Sequence, residues 1–461
     1  MITTLARVRL AVEIALARVV GSLSRLGRRG GGTTLPGKLL AAVDPGAVES
    51  LARLLPLGTA LVSATNGKTT TTAMAAQILS PQVRLAHNSS GANLVSGVAS
   101  TLLAARGAEF GLFEVDEAAL SEVARRVRPR AVCLGNLFRD QLDRYGELEL
   151  LAERWRAVVR ELPADARLAV NADDPVVGDL AHEREGSLTF GLDDQRQARP
   201  SLQHAADSKY CLRCGEPYAY ATAYVGHLGD YRCPACGHSR PPLDVAARSI
   251  ELGGLESTSF DLVTPQGSRR VRLGLPGLYN VYNALAAAAL THTLGVGLDE
   301  IVAGLERSVP AFGRFERITV GDRTVLILLI KNPAGANEAV RTLLDAAPPK
   351  VALVALNDAI ADGRDVSWIW DVDFEPLLGG LERLVATGDR AAELALRFKY
   401  GGLDEKAIEV VPDLATALDR GLELTPPGGR LTVLPTYTAM LALRGIVAQR
   451  GFVRPYWERA A

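Results

Sequence analysis

The stretch Ala64-Thr65-Asn66-Gly67-Lys68-Thr69-Thr70-Thr71-Thr72 stands between an apolar run, residues 59–63, and a helix-forming run, residues 73–79. A strand that passes through a glycine-bearing loop into a helix leaves the helix's first backbone N–H groups unpaired, and the loop becomes a cradle for anions. The residue types suit phosphate. Gly67 lets the backbone come close, Lys68 reaches the β- and γ-phosphates, and the Thr69 hydroxyl can hold Mg²⁺. ATP is the ligand this arrangement predicts. The first glycine of the common phosphate-loop pattern is missing at its usual spacing, which leaves a Thr-rich helix start as the plainer alternative.

With 461 residues the chain exceeds what one hydrophobic core organises, so two or three domains are expected. A formal net charge of −1 gives no overall attraction to nucleic acid or an anionic bilayer, and 48% apolar residues fit a globular enzyme. Only seven of the 51 basic residues are lysines, which singles out Lys68 and Lys331 against an arginine background. Residues 5–26 are helical in pattern but carry Arg7, Arg9, Arg18 and Arg25, too many charges for a membrane span. No signal peptide is read there. The expectation is a soluble cytoplasmic chain whose N-terminal helix packs on its own domain, with a resting place on the inner membrane surface as the less ordinary alternative.

The glycine run at residues 29–32 ends that helix, so residues 1–45 form a lead-in. Apolar runs at 110–115, 131–136 and 167–171 alternate with helical patterns at 119–127 and 148–161, the rhythm of an α/β fold with a doubly wound parallel sheet. Residues 202–242 interrupt this rhythm with Cys, Gly and Tyr. An antiparallel pair at 258–263 and 269–273 and a helix at 281–294 follow. A second α/β unit begins near Gly313, with buried parallel strands at 325–330, 351–356, 383–387, 408–411 and 431–434. The expected organisation is therefore a central P-loop ATP-binding domain, 46–312, with an insertion at about 205–242, and a Rossmann-like C-terminal domain, 313–461.

The five cysteines are Cys133 alone and two CxxC pairs, which excludes a secreted disulfide framework and fits a reducing compartment. Eighteen residues separate the pair Cys211 and Cys214 from the pair Cys233 and Cys236, a spacing that lets four thiolates surround one Zn²⁺. Gly215 and Gly237 permit the tight turn after each pair. With all four positions filled by protein the site is structural, and His227 and His238 are expected to be bystanders. Cys133, inside a buried strand, is expected to be inert.

Acidic residues gather where the predicted parallel strands end. Phe113-Glu114-Val115-Asp116-Glu117 brings three carboxylates toward a Mg²⁺ shared with Thr69 and the ATP phosphates. The next strand ends in Asn136-Leu137-Phe138-Arg139-Asp140-Gln141-Leu142-Asp143-Arg144-Tyr145-Gly146-Glu147, too densely polar for loop filler.

With these pieces the chain resembles the Mur ligase family, ATP-dependent enzymes that activate a carboxylate as an acyl phosphate and couple it to an amine. Thr65, Asn66, Gly67, Lys68, Thr69 and Thr70 resemble the family's phosphate loop, Glu114 its metal-binding glutamate, and Asn171-Ala172-Asp173-Asp174-Pro175 its strand-end loop. Asn280 and Asn283 resemble its nucleotide-contacting helix start, and Arg314 the arginine that reaches phosphate at the entry to the last domain. Amino-acid-adding members carry histidines where this chain has Gln141 and Tyr279. They carry Asp-x-x-His-Asn-Pro where it reads Leu328-Leu329-Ile330-Lys331-Asn332-Pro333. These departures resemble the branch of synthetase subunits that amidate the D-glutamate of the lipid II stem peptide and carry a zinc ribbon in the central domain. The resemblance implies ATP, Mg²⁺ and Zn²⁺, lipid II as substrate, and a GatD-like glutaminase as partner in a heterodimer.

Residues 362–375 hold Trp368 and Trp370 among five acidic residues. In that branch the segment lies toward the glutaminase and supplies an aspartate that orients the histidine of the partner's Cys-His site, a role open here to Asp365 or Asp371. Tucking both tryptophans into the core is the structural alternative. The competing functions are an amino-acid-adding or folylpolyglutamate synthase-like ligase, active without a partner, and a nucleic-acid-binding ribbon. Against the latter, the ribbon shows no basic stripe with interleaved aromatics.

Overall fold

The computed structural model describes residues 34–89, 91–140, 148–203, 206–310 and 315–454. The N-terminal helix expected over residues 5–26 lies outside these residues, as do Gln141, Gly313 and Arg314. Among the described residues no helix is long and apolar enough to cross a membrane.

The first unit is built on β1 (Thr59–Ser63), β2 (Leu85–His87), β3 (Phe110–Glu114), β4 (Ala131–Leu134), β5 (Arg167–Asn171), β6 (Leu188–Leu192), a hairpin of β7 (Ala219–Val225) and β8 (Leu228–Arg232), then β9 (Val245–Gly253), β10 (Ser257–Thr264) and β11 (Gly267–Leu273). Apart from the hairpin they form one nine-stranded sheet, in the order β11-β10-β9-β6-β5-β4-β1-β3-β2. It is parallel from β2 to β9, and β10 and β11 fold back antiparallel.

The alternation of side chains along buried strands sorts the core. Ala60 and Val62 of β1 face the helices Lys68–Leu79 and Leu278–Thr293, whereas Leu61 faces the opposite layer with Phe113 and Trp155. Both faces are covered, which is why these strands read as continuous apolar runs.

The antiparallel pair expected at 258–273 is present but is not a free-standing ribbon. β9 joins β10 to the parallel sheet. The helix after the phosphate loop starts at Lys68, five residues before the helix-forming run; Thr70, Thr71 and Thr72 in between are buried, and packing overrides their weak helix propensity.

The second unit contains β12 (Phe315–Val320), β13 (Arg323–Leu328), β14 (Val351–Ala355), β15 (Arg383–Thr387), β16 (Ile408–Val410) and β17 (Arg430–Pro435), ordered β12-β13-β17-β14-β15-β16. All neighbours are parallel except the β12–β13 hairpin. The helix Pro333–Ala346, which follows β13, meets the first unit: Glu338 pairs with Arg199 at 2.6 Å, and Arg341 donates to the Tyr224 carbonyl at 3.0 Å.

Candidate active site and metal centre

Ligands of open parallel sheets bind beyond the carboxyl ends of the strands. Here that edge is lined by the loops after β1, β3, β4 and β5, with β1 lying between β3 and β4. Gly67 takes the left-handed conformation (φ 90°) that turns the chain into the helix Lys68–Leu79. A Cβ there would lie 2.0 Å from Asn283 Oδ1, so only glycine allows the Asn283 amide to lie against the loop. Asn283 Nδ2 donates to Asn280 Oδ1 at 3.0 Å, and Asn280 Nδ2 to the Pro276 carbonyl at 2.7 Å. The two asparagines thus form one fixed wall. Tyr279 stands half-buried on the same first helical turn.

The first turn of Lys68–Leu79 has no side-chain cap and no acidic residue, so the positive end of the helix dipole faces the cleft unneutralised by its own turn. Thr65 in the loop and Thr70 in the first helical turn are buried, and Asn136 braces the loop by accepting from Asn66 N at 2.9 Å and donating to the Asn66 carbonyl at 3.1 Å. Lys68 folds back over its own loop, donating to the Ala64 carbonyl, to the Thr65 carbonyl at 3.2 Å and to Glu117 Oε2 at 2.8 Å. Thr69 Oγ1 donates to Glu114 Oε1 at 3.1 Å, bringing the two residues expected to share a cation together.

Lys68 and Glu117 are both almost fully buried. Burial pushes the Lys68 ammonium down, but the carboxylates of Glu117, Asp116 and Glu114 outweigh it and raise its pKa above the ordinary lysine value. Burial pushes the Glu117 carboxyl up, and Lys68 and Lys331 more than offset this and lower it. The pairing of Glu117 with Lys68 rather than with a shared cation is absent from the sequence reading.

The second unit closes one side. Asn332 and Asn66 exchange amide hydrogen bonds of 3.0 and 3.2 Å. Asn332 Oδ1 also accepts from Gly335 N at 2.9 Å and so caps the helix Pro333–Ala346. Beside it, Lys331 Nζ lies 2.5 Å from Asp140 Oδ2.

Residues 362–375 divide by role. Asp362 is buried and accepts from Thr438 N at 2.8 Å, at the start of the helix Tyr437–Gln449. Trp368 packs on the core, whereas Trp370 is 50% exposed and lies near the exposed Tyr400, ring centroids 6.2 Å apart. The structural alternative of both tryptophans in the core is therefore met by Trp368 and not by Trp370. Asp365 is exposed and accepts from Ser367 N at 2.9 Å; a hydrogen bond from the Ser367 side chain, and then this N–H, hold its carboxyl below the ordinary value. Asp371 lies 3.6 Å from Arg139 Nη2.

The inserted hairpin carries the second site. Sγ atoms of Cys211, Cys214, Cys233 and Cys236 all lie within 4.8 Å of one another. Four soft thiolates at such separations fit a single tetrahedral metal ion, whose sulfur ligands stand about 3.8 Å apart. The two turns are alike: Gly215 (φ 79°) donates to the Cys211 carbonyl and Gly237 (φ 77°) to the Cys233 carbonyl. Burial pushes the Cys211 thiol up, but backbone N–H groups of Arg213 and Cys214 bring it down to about 6, toward the thiolate a metal requires.

Neither histidine belongs to this donor set, yet neither is idle. His238 Nδ1 stands 2.7 Å from Tyr218 Oη, and its Nε2 lies 3.2 Å from Asp179. His227, fully buried, lies 3.3 Å from Asp174 Oδ2 and against the Phe138 ring. Cys133 is buried, its thiol pushed far up by burial.

Comparisons with known proteins agree with this architecture. Residues 62–227 match the Mur ligase middle domain, and residues 329–440 the MurT ligase C-terminal domain. Over 438 residues the chain is 34% identical to the lipid II isoglutaminyl synthase (glutamine-hydrolyzing) subunit MurT of Streptococcus pneumoniae, covering 94% of this chain and 95% of that protein. The subunit of the same name from Staphylococcus aureus is 31% identical, over 93% of this chain and 95% of its own length. Among solved structures, a pseudomurein peptide ligase type C from Methanothermus fervidus superposes with a TM-score of 0.68 at 21% identity, covering 85% of this chain and 79% of that one. MurF ligase from Thermotoga maritima, in complex with ADP, superposes with a TM-score of 0.62 at 16% identity, covering 90% and 85%. These structures share the fold.

Proposed function

The chain belongs to the MurT family of lipid II isoglutaminyl synthase subunits, and from that premise we propose that it is an ATP-dependent carbon–nitrogen ligase of peptidoglycan synthesis, converting the D-glutamate α-carboxylate of the lipid II stem peptide to D-isoglutamine. The observation that carries this reading is similarity to proteins of that name along 94% of the chain.

In the proposed reaction ATP phosphates lie on the N-terminus of the helix Lys68–Leu79, with Lys68 on the β- and γ-oxygens and Thr65, Asn66, Gly67 and Thr70 forming the cradle. Asn280 and Asn283 wall the nucleotide side. Arg314 is proposed as a further phosphate contact on resemblance alone, since it lies outside the described residues. Thr69 and Glu114 would hold Mg²⁺, which neutralises charge building on the transferring phosphoryl group. The acceptor carboxylate oxygen takes the γ-phosphoryl, ADP leaves, and ammonia then displaces phosphate from the acyl carbon.

The nitrogen source proposed is a GatD-like glutaminase bound as a heterodimer, and the four cysteines are proposed to bind structural Zn²⁺. Lipid II also places the substrate at the inner face of the membrane, which the proposed peripheral contact of residues 1–33 would serve. The test uses purified lipid II, ATP, Mg²⁺ and ammonium chloride, with mass spectrometry of the stem peptide. Replacement of OH by NH₂ is expected; addition of an amino-acid residue mass instead would move the chain to the amino-acid-adding ligases.

Between the two aspartates proposed to complete the glutaminase site, Asp365 is favoured. It is exposed and is held by the nearby Ser367, through its side chain and its N–H, whereas Asp371 is engaged by Arg139. In the complex with the glutaminase, Asp365→Asn is expected to abolish glutamine hydrolysis while ATP binding persists, and Asp371→Asn to reduce hydrolysis less. Full hydrolysis by both variants would refute the assignment.

A further inference from the structure

The chain spends two of its seven lysines on one cleft. Lys331 directly precedes Asn332, the residue that caps the helix Pro333–Ala346 and pairs with Asn66 on the phosphate loop. It therefore reaches the first unit from the second at the loop itself. Its ammonium rests 2.5 Å from Asp140 Oδ2. The Asp140 side chain is only 3% exposed, and its other oxygen, Oδ1, has no hydrogen-bond partner among the described residues.

A buried ion pair repays its desolvation only when its remaining lone pairs are also satisfied. Among the described residues this one is half satisfied. Burial accordingly pushes the Asp140 carboxyl above its ordinary value, with Lys331 offsetting only part of the cost. The Lys331 side chain keeps 30% exposure, and its four-carbon stem allows the ammonium to move without a backbone shift. Its field already extends to Glu117, the partner of Lys68. Lys68–Glu117 and Lys331–Asp140 are thus two ion pairs close enough to act on one another.

We propose that Lys331 is a second phosphate-contacting cation of the ATP site, carried by the second unit, stored on Asp140 and transferred to the γ-phosphoryl oxygens when the triphosphate binds. This rests on the ATP-site reading above. In that reading the helix N-terminus and loop backbone take the inner phosphates, while the second unit meets the loop at Asn66 and brings Lys331 beside it. Negative charge spreads over the γ-phosphoryl oxygens as the bond to ADP breaks and the bond to the acceptor carboxylate forms, and a mobile ammonium there stabilises that charge. No bond to Lys331 forms and no proton leaves it.

The test compares Mg²⁺-bound ADP with a non-hydrolysable ATP analogue by titration calorimetry on the full chain. Lys331→Met is expected to weaken the triphosphate about tenfold or more, the usual worth of a charge-assisted hydrogen bond, and ADP by less than about twofold. Lys331→Arg should recover most of the loss. A merely structural latch would move both nucleotides together, so equal weakening, or none, overturns the inference. Asp140→Asn, which leaves Lys331 without its resting partner, is expected to tighten the triphosphate relative to ADP; weakening of that ratio would also overturn it. If the unaltered chain binds neither nucleotide, the ATP-site reading itself falls.

Discussion

Lys68→Met is expected to abolish ATP-dependent amidation, with turnover falling about a thousandfold or more, because it removes a preorganised cation from the charge that develops on the transferring phosphoryl group. The same change should destabilise the first unit. Lys68 and Glu117 have side chains only 8% and 4% exposed, and removing one partner leaves the other buried and uncompensated, a cost of about 3–5 kcal/mol. The two effects separate in the double variant Lys68→Met/Glu117→Gln. It no longer buries an unpaired carboxylate, so most of the thermal midpoint should return while turnover stays lost. Recovery of turnover in the double variant would mean that Lys68 serves the fold alone.

The pair also sets a pH window. Glu117 is lowered from an ordinary value of 4.5, so its contribution is present above that pH and is lost as pH falls through the folded value. Lys68 is raised from 10.5, so its contribution is present below that pH and is lost as pH rises through the folded value. The unaltered chain should therefore gain a stability plateau between these limits that Lys68→Met/Glu117→Gln lacks, measurable as a difference in thermal midpoint across pH. Asp140 works against the acid side: raised by burial, it costs stability at neutral pH and returns that cost as it protonates.

What was legible in the sequence is what sits close together along it. The phosphate loop compresses its chemistry into nine residues, and the cysteine pairs announce themselves by spacing. The parallel strands announce themselves because burial on both faces makes them continuous apolar runs. The interactions that assemble the cleft are not local. Lys68 meets Glu117 across 49 residues, Lys331 meets Asp140 across 191, and Asn66 meets Asn332 across 266, distances over which one sequence carries no pairing signal. β2 was missed because it has three residues, and β9 because its exposed Arg248 and Glu251 break the apolar run. His227 was set aside as a bystander to the metal site; it is outside that donor set, but its burial against Asp174 and Phe138 makes it a structural joint.

That joint gives the second large prediction. The ribbon's own core amounts to Tyr218 and Tyr231 packed on Cys211 and Cys233, so the buried apolar surface is too small to fold it unaided. Binding of structural Zn²⁺ in comparable small modules supplies about 10–16 kcal/mol of folding free energy. Cys233→Ser, or chelation of the unaltered chain, is therefore expected to unfold the ribbon, seen as loss of the near-ultraviolet tyrosine signal and, for the variant, purification without bound zinc.

The consequence should reach the ATP site along a continuous path. His227 at the hairpin tip lies 3.3 Å from Asp174 Oδ2; the same oxygen accepts from Leu137 N at 2.9 Å, and Phe138 N donates to Thr65 Oγ1 at 3.1 Å. Phe138 also packs on His227 with its ring tilted and the centroids 4.7 Å apart, and the hairpin turn at Gly226 is so close that a Cβ there would lie 2.7 Å from the ring. Once the hairpin unfolds, the segment that braces the phosphate loop loses its outer support, and ATP affinity should fall about tenfold, the scale of one or two lost hydrogen bonds to a charged ligand. Retention of the tyrosine signal in a metal-free chain would show that the ribbon folds without zinc. Its loss with unchanged ATP affinity would show that the hairpin is only appended to the sheet and that Asp174 alone fixes the loop.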